Sequence, residues 1–235
     1  MRLSFLSILL LFLSVLPASA DPLGDGLEAY RAKDWTKAVE LLKPLAEQGN
    51  PLAEETMGRM SERGAGVTRD YAAAAAWYRK AAEQGDAAGQ ARLAMMLRIG
   101  MGPVKRDLPE AEKWFAKSAE QGNALAQVGL GYMAFEGAAA PADPAKAAEW
   151  FTKAANQGDA SAMLGLGTLY DLGRGVTKDL AQAYKWYSLA TVDDGEYDQD
   201  LFDRAKRLRD GLALRMTPVD LGRGEEMVKG FKPKK

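Results

Sequence analysis

The chain has 235 residues, with 31 basic and 32 acidic side chains, so its formal net charge is −1. A near-neutral chain without a basic stripe does not suit a nucleic-acid partner. Because the sequence has neither cysteine nor histidine, it excludes disulfide bonds, a lipidated cysteine, a Ser-His-Asp triad and the usual zinc ligands.

The first 20 residues have the pattern of a secretory signal peptide. Arg2 precedes an apolar run over residues 3–16, and Ala18-Ser19-Ala20 forms an A-x-A cleavage site. A membrane anchor is the weaker interpretation, since the run is shorter than the roughly 20 residues of a spanning helix. We expect cleavage before Asp21, export to the periplasm of a Gram-negative bacterium or beyond it, and no integral membrane segment in the mature protein.

From Asp34 onward the chain repeats itself. Aspartates at one phase of the repeat lie 36, 37, 36 and 36 residues apart, at Asp34, Asp70, Asp107, Asp143 and Asp179. In four copies a bulky pair follows seven residues later: Trp77-Tyr78, Trp114-Phe115, Trp150-Phe151 and Trp186-Tyr187. This period is typical of a solenoid of helix pairs, and the fixed phase predicts that the pairs, Trp114 included, are core residues.

Two helical patterns alternate within each repeat. The second helix begins at the aspartate, whose carboxylate can accept hydrogen bonds from first-turn amides, and it ends at a Gln-Gly pair. The first helix begins after a capping residue and ends at a glycine. The predicted caps are Asn50, Asp86, Asn123 and Asp159, and the terminal glycines are Gly64, Gly100, Gly137 and Gly173.

These residues resemble the Sel1-like repeat, a relative of the tetratricopeptide repeat. The pattern LGxxYxxGxGVxxDxxxAxxWYxxAAxQGxA has four good copies within residues 34–192. Period, caps and resemblance together predict an all-α, right-handed superhelical solenoid of about five helix pairs with a C-terminal capping helix. The expected divisions are a cleaved signal peptide (1–20), a tetratricopeptide-like helix pair (21–50), a Sel1-like array (51–192), capping helices (193–229) and a basic tail (230–235).

After Val192 the period breaks at an acidic run. Its members are Asp193, Asp194, Glu196, Asp198, Asp200 and Asp203. The run lacks the ligand spacing of an EF-hand, so favourable charges at a helix start explain it better than calcium. We predict a helix over about residues 196–215 that covers the last repeat, and a short final helix that begins at Thr217-Pro218.

The resemblance implies a non-enzymatic adaptor or scaffold that binds a protein or peptide in its concave groove. There are two alternatives. The first is a structural component that associates with peptidoglycan or an exported polysaccharide, and the second is an enzyme of unrecognised type. No catalytic residue, cofactor or metal ligand is predicted, because neither a P-loop nor a nucleophile motif is present.

The groove itself is predicted from helical spacing. Counted from the capping residue, positions three, seven, eight and eleven of each first helix form the core pattern, so positions two, five, nine and twelve should face the groove. In the third copy all four are apolar, and exposed apolar patches usually mark interaction sites. The hypothesis is that an apolar segment of a partner is anchored by Met95, Leu125, Val128, Tyr132, Phe135 and Leu164. The polar register of that segment would be set by Arg59, Arg98 and Asp171. The alternative is that the superhelix or the C-terminal segment covers this patch.

Overall fold

The computed structural model describes residues 21–192 and 198–233, and these form α-helices without any β-strand. The predicted signal peptide, residues 193–197 of the acidic run and the last two lysines lie outside the described residues. The helices are α1 (Pro22–Arg31), α2 (Trp35–Glu47), α3 (Pro51–Arg63), α4 (Tyr71–Glu83), α5 (Ala87–Ile99), α6 (Leu108–Glu120), α7 (Ala124–Glu136), α8 (Pro144–Asn156), α9 (Ala160–Leu172), α10 (Leu180–Leu189), α11 (Gln199–Ala213) and α12 (Pro218–Lys229).

The predicted capping residues begin and end the helices of the array. Asp70 Oδ1 accepts hydrogen bonds from the amides of Ala72 and Ala73 at 2.8 and 3.0 Å, which satisfies two donors of the first turn of α4. Gly64, which ends α3, has a φ of 72°, in the left-handed region that glycine adopts without steric cost. The same devices recur in the other copies, so the predicted helix boundaries are confirmed.

The second residue of each aromatic pair forms the centre of the core. Tyr78, Phe115, Phe151 and Tyr187 are each no more than 1% exposed. The ring of Phe151 lies between α7 and α9, because a Cβ added at Gly131 or Gly165 would come within 2.5 or 2.8 Å of it. Glycine at these positions therefore lets three helices close around one ring.

The first residue of each pair is less uniformly buried than predicted. Trp114 is 8% exposed, which confirms its core placement, but Trp77 and Trp150 are half-buried. A lysine ammonium lies over each of these three rings, at 4.4 Å for Lys80 on Trp77 and 4.1 Å for Lys153 on Trp150. The outer edge of the tryptophan thus faces water and a cation rather than another helix.

The glutamine that follows the second helix joins the two helices of a pair. Gln121 Nε2 donates to the carbonyl of Gly85 at 3.1 Å and to Gln90 Oε1 on α5 at 2.9 Å. Gln157 repeats both contacts at 3.1 and 2.8 Å. In the last pair the corresponding position of α9 is Met163, so this polar coupling stops where the array ends.

Contacts between pairs give the array its inner and outer sides. The first helices α3, α5, α7 and α9 contact one another in turn, whereas no comparable contact joins the second helices within the described residues. In a curved stack the more closely spaced row lies on the concave side. Helix α11 contacts α9 and α10 and extends this inner row, while α12 packs on α10. The predicted all-α solenoid of five helix pairs is confirmed.

Candidate functional site

The inner groove is the surface formed by the exposed faces of α3, α5, α7 and α9. Position five of each helix was expected to face it, yet Glu55, Ala91, Val128 and Leu164 are only 4%, 0%, 4% and 4% exposed. The helical wheel fails here because neighbouring first helices contact each other, and position five lies in that contact. Val128 and Leu164 therefore lie beneath the groove rather than on its surface.

The centre of the groove retains two half-buried aromatic side chains on α7. The ring of Tyr132 packs edge-on against Phe151 at 5.0 Å between centroids, and its hydroxyl donates to the carbonyl of Ser161 at 3.4 Å. Phe135 lies one turn further along, with the guanidinium of Arg174 4.6 Å from its ring centroid. Both rings are anchored at one edge and partly accessible at the other.

Helix α11 contributes one side chain to this central part of the groove. A small pocket of about 50 Å³ is lined by Tyr132, Phe135, Leu164 and Thr168, with Arg204 of α11 at its edge. The repeat pattern does not point to Arg204 or Arg174, because Arg204 lies on a non-repeating helix and Arg174 lies in a turn. Met95 and Leu125 are half-buried and pack against the core of α5–α7.

The three polar residues predicted to set the register already have partners within the chain. Arg98 Nη2 donates to both carboxylate oxygens of Glu136, at 2.9 and 3.0 Å, and Arg215 Nη2 donates to both carboxylate oxygens of Asp171, at 3.1 and 3.0 Å. Arg59 lies over the ring of Tyr30 at 5.1 Å. A partner would therefore compete with existing contacts at Arg98 and Asp171.

A buried ion-pair network that the repeat pattern does not predict lies between α3, α4 and α5. Arg92 Nε donates to Glu55 Oε1 at 2.8 Å, and its Nη1 is 3.8 Å from Glu62 Oε2. Burial raises the pKa of Tyr78 far above its ordinary value, so its hydroxyl keeps its proton and donates to Glu62 at 2.6 Å. Burial also raises the pKa of Glu55, against the lowering effect of Arg92 and Arg59.

Neither a metal centre nor a membrane span is found in the part of the chain that the structure describes. No three of its acidic side chains are grouped so that they could hold a metal ion. Within the same ranges, no helix combines the length and the apolar character needed to cross a bilayer.

Comparison with known proteins identifies relatives of this fold. The Sel1 repeat family matches five consecutive segments, residues 24–50, 51–86, 87–123, 124–159 and 160–191. A Sel1 repeat protein from Oxalobacter formigenes has a similar structure, with 32% identity, a TM-score of 0.61 and coverage of 83% of this chain and 85% of that one. No curated protein sequence matches the chain.

Two further solved structures extend the comparison. A protective antigen of uropathogenic Escherichia coli with an SLR fold is 29% identical, with a TM-score of 0.54. That match covers 90% of this chain and 53% of the antigen, so this chain spans about half of the antigen's length. An immunity protein from Pseudomonas aeruginosa is 20% identical, with a TM-score of 0.54 and coverage of 92% and 90%, a likeness that concerns the fold alone.

Proposed function

The chain belongs to the Sel1 repeat family, and we propose that it is an exported, non-enzymatic adaptor whose inner groove binds a segment of a partner protein. Repeats of this family typically mediate protein–protein interaction. The observation that carries the proposal is the pair of half-buried aromatic side chains, Tyr132 and Phe135, that line the small central pocket. Partly exposed aromatic side chains on a rigid scaffold are common anchors of protein interfaces.

The non-enzymatic part of the proposal is supported by side-chain chemistry. Without histidine or cysteine, acid–base catalysis would depend on carboxylates, tyrosines or lysines. The buried carboxylate of the groove, Glu55, has its short hydrogen bond to Arg92, which joins neighbouring helices. Such a contact is typical of a structural ion pair.

Export is proposed from the first 20 residues, which precede the described structure. Helix α1 begins at Pro22, and Asp21 Oδ1 accepts a hydrogen bond from the amide of Gly24 at 3.0 Å. Cleavage before Asp21 would thus leave the first helix with its capping residue. Mass spectrometry of the protein recovered outside the cytoplasm should find Asp21 as its first residue, and an intact Met1 in the membrane fraction would contradict export.

The groove function can be tested by site-specific photocrosslinking in cells. A photoreactive amino acid at Thr168, which lines the central pocket, should give a discrete adduct with one partner protein. The same amino acid at the exposed position Glu149 of the second helix α8 is the matched control and should give none. Tyr132→Ala with Phe135→Ala, in a protein shown to melt in one transition, should abolish the adduct.

Three outcomes would contradict this proposal, the first two of which concern the groove. One is equal crosslinking from the inner and outer positions, because it would mean that the groove is not selective. The second is sedimentation of the purified protein with purified cell wall in the absence of other proteins, which would favour the structural alternative. Turnover of a defined substrate would likewise overturn the non-enzymatic assignment.

A further inference from the structure

A second opening lies at the N-terminal end of the inner groove, where α1, the start of α2 and α3 meet. This N-terminal cleft has a volume of about 520 Å³. Four cationic side chains line it, Arg31, Lys33, Arg59 and Arg63, together with the rings of Tyr30 and Trp35. The rings pack edge-to-face at 5.6 Å, so they form one apolar wall.

The cleft carries more positive charge than its own residues neutralise. Among the described residues, Arg31, Lys33 and Arg63 form no ion pair. Among the described residues of the lining, the single carboxylate is Glu55. Its Oε1 lies 4.0 Å from Arg59 Nε and accepts a closer contact, at 2.8 Å, from Nε of Arg92, which lies outside the cleft. This local excess of positive charge contrasts with the charge balance of the whole chain, which has 31 basic and 32 acidic side chains.

Two polar atoms of the cleft are buried without a hydrogen-bond partner among the described residues. They are the Tyr30 hydroxyl and Arg59 Nε, and the guanidinium of Arg59 lies 5.1 Å from the Tyr30 ring centroid. Buried donors in folded proteins are normally paired, so an orphaned pair in one opening indicates a missing acceptor. Both atoms can donate, and both belong to residues that line the cleft.

We propose that the N-terminal cleft binds the carboxylate side chains of an acidic peptide segment. The cations and the two unpaired donors match carboxylate oxygens, while Tyr30, Trp35 and the 41%-exposed Leu52 suit the apolar stems and neighbours of glutamate. Leu52 and Arg59 also occupy groove positions of α3, so a segment that follows the inner groove can reach the cleft. This partner chemistry rests on the groove function proposed above.

A peptide suits the cleft better than a phosphate-rich ligand. Glu55 at its floor would repel a doubly charged phosphate more strongly than a single carboxylate. Apolar and aromatic surface makes up part of the wall, and a free inorganic anion would leave that surface uncovered. The two ligand classes can be separated by competition.

The test is fluorescence anisotropy with the mature chain and a fluorescein-labelled, C-terminally amidated decapeptide of aspartate, glutamate and leucine. We expect saturable binding that weakens with salt, and none for the matching peptide of asparagine, glutamine and leucine. Arg31→Glu with Arg63→Glu should weaken binding about tenfold or more, because it reverses two charges at the cleft. Tyr30→Phe, which removes only the unpaired hydroxyl, should weaken it by about two- to fivefold.

Arg31 and Arg63 both lie in the last turn of a helix, where a cation also favours the helix dipole. The matched control is therefore Lys117→Glu with Lys153→Glu, which makes the same charge change in the last turns of α6 and α8, away from the cleft. This control should leave peptide affinity within about twofold of the parent. If the variant with Arg31→Glu and Arg63→Glu fails to fold, Arg31→Gln with Arg63→Gln replaces it and should still weaken binding.

Several results would overturn the proposal. Equal binding of the amide peptide, equal loss in the lysine control, or displacement by inorganic phosphate at lower concentration than by the unlabelled acidic peptide would each do so. Failure here is distinct from failure of the groove function, since the Thr168 adduct depends on Tyr132 and Phe135. We expect the double alanine variant to keep its affinity for the acidic peptide.

Discussion

At the scale of single residues, small side chains decide how closely the helices approach. Glycine stands at position eight in three of the four first helices after the leading pair, and each time it faces the buried ring of the following second helix. A Cβ added at Gly58, Gly131 or Gly167 would come within 2.5, 2.5 or 2.7 Å of Tyr78, Phe151 or Tyr187. Glycine is therefore required at these positions because a larger side chain would overlap the ring, and not because of the backbone conformation.

Gly131→Ala should destabilise the protein by about 1–3 kcal/mol, because the added methyl overlaps the ring of Phe151 and neither helix can move alone. Gly211→Ala is the matched control, since nothing lies within 4 Å of a Cβ there and alanine favours the helix by up to about 1 kcal/mol. Urea unfolding followed by circular dichroism measures both. A Gly131→Ala protein as stable as the parent would contradict this packing.

At the scale of elements, polar contacts link helices from neighbouring pairs. The network of Glu55, Glu62, Tyr78 and Arg92 joins α3 and α4 to α5. A buried ion pair is not in itself a strong stabiliser, but loss of one partner leaves the other buried and uncompensated. Arg92 is therefore the residue on which this junction depends.

Arg92→Met should cost about 3 kcal/mol at neutral pH, since Glu55 would then lack its nearest cation. Arg79→Met, which removes a more exposed ion pair with Glu110, is the control and should cost less than about 1 kcal/mol. Equal losses in the two variants would contradict the importance of burial. Thermal or urea unfolding gives the comparison.

The Arg92→Met deficit should also depend on pH. Burial raises the pKa of Glu55 in the folded protein, and loss of Arg92 removes a contact that lowers it. A carboxyl group whose pKa is higher in the folded state takes up a proton on folding, so stability falls as pH rises through that pKa. The deficit should thus be smaller near pH 5 than near pH 7, and a constant deficit would show that Glu55 is not the cause.

At the scale of the whole molecule, each helix pair of the solenoid packs on its neighbours, so the two end pairs each have one face without a neighbouring pair. At the C-terminal end α11 and α12 both pack on α10, and Phe231 lies edge-on to Trp186 at 5.5 Å. At the N-terminal end the leading pair leaves the cationic cleft open. Because each pair contacts mainly its neighbours, a change at one end should remain local.

Phe231→Ala should weaken the C-terminal cap by about 1–2 kcal/mol, since it uncovers the ring of Trp186. Hydrogen exchange measured by mass spectrometry should become faster in α9, α10 and α12 and stay unchanged in α3 and α4. Leu214→Ala, at a position that is 90% exposed, is the control and should leave exchange unchanged. Equal acceleration along the whole array would show instead that it unfolds as one unit.

The sequence by itself determined the helices, their caps and the number of pairs, because these features depend on residues close together in the chain. An aspartate or asparagine cap needs only the amides of the next turn, and a terminal glycine needs only its own φ. Each copy of the repeat therefore encodes the start and the end of its helices independently. The buried aromatic at a fixed phase follows for the same reason, and Phe115 and Phe151 lie where the period places them.

Only the tertiary structure decided what the inner face presents. A helical wheel places Val128 and Leu164 in the groove, but contacts between successive first helices bury them. The N-terminal cleft and the position of Arg204 depend on residues far apart in sequence, in a leading pair and a final helix that the repeat pattern does not describe. What the inner face presents depends on how successive first helices pack on one another, and the helical wheel of a single helix does not describe that packing.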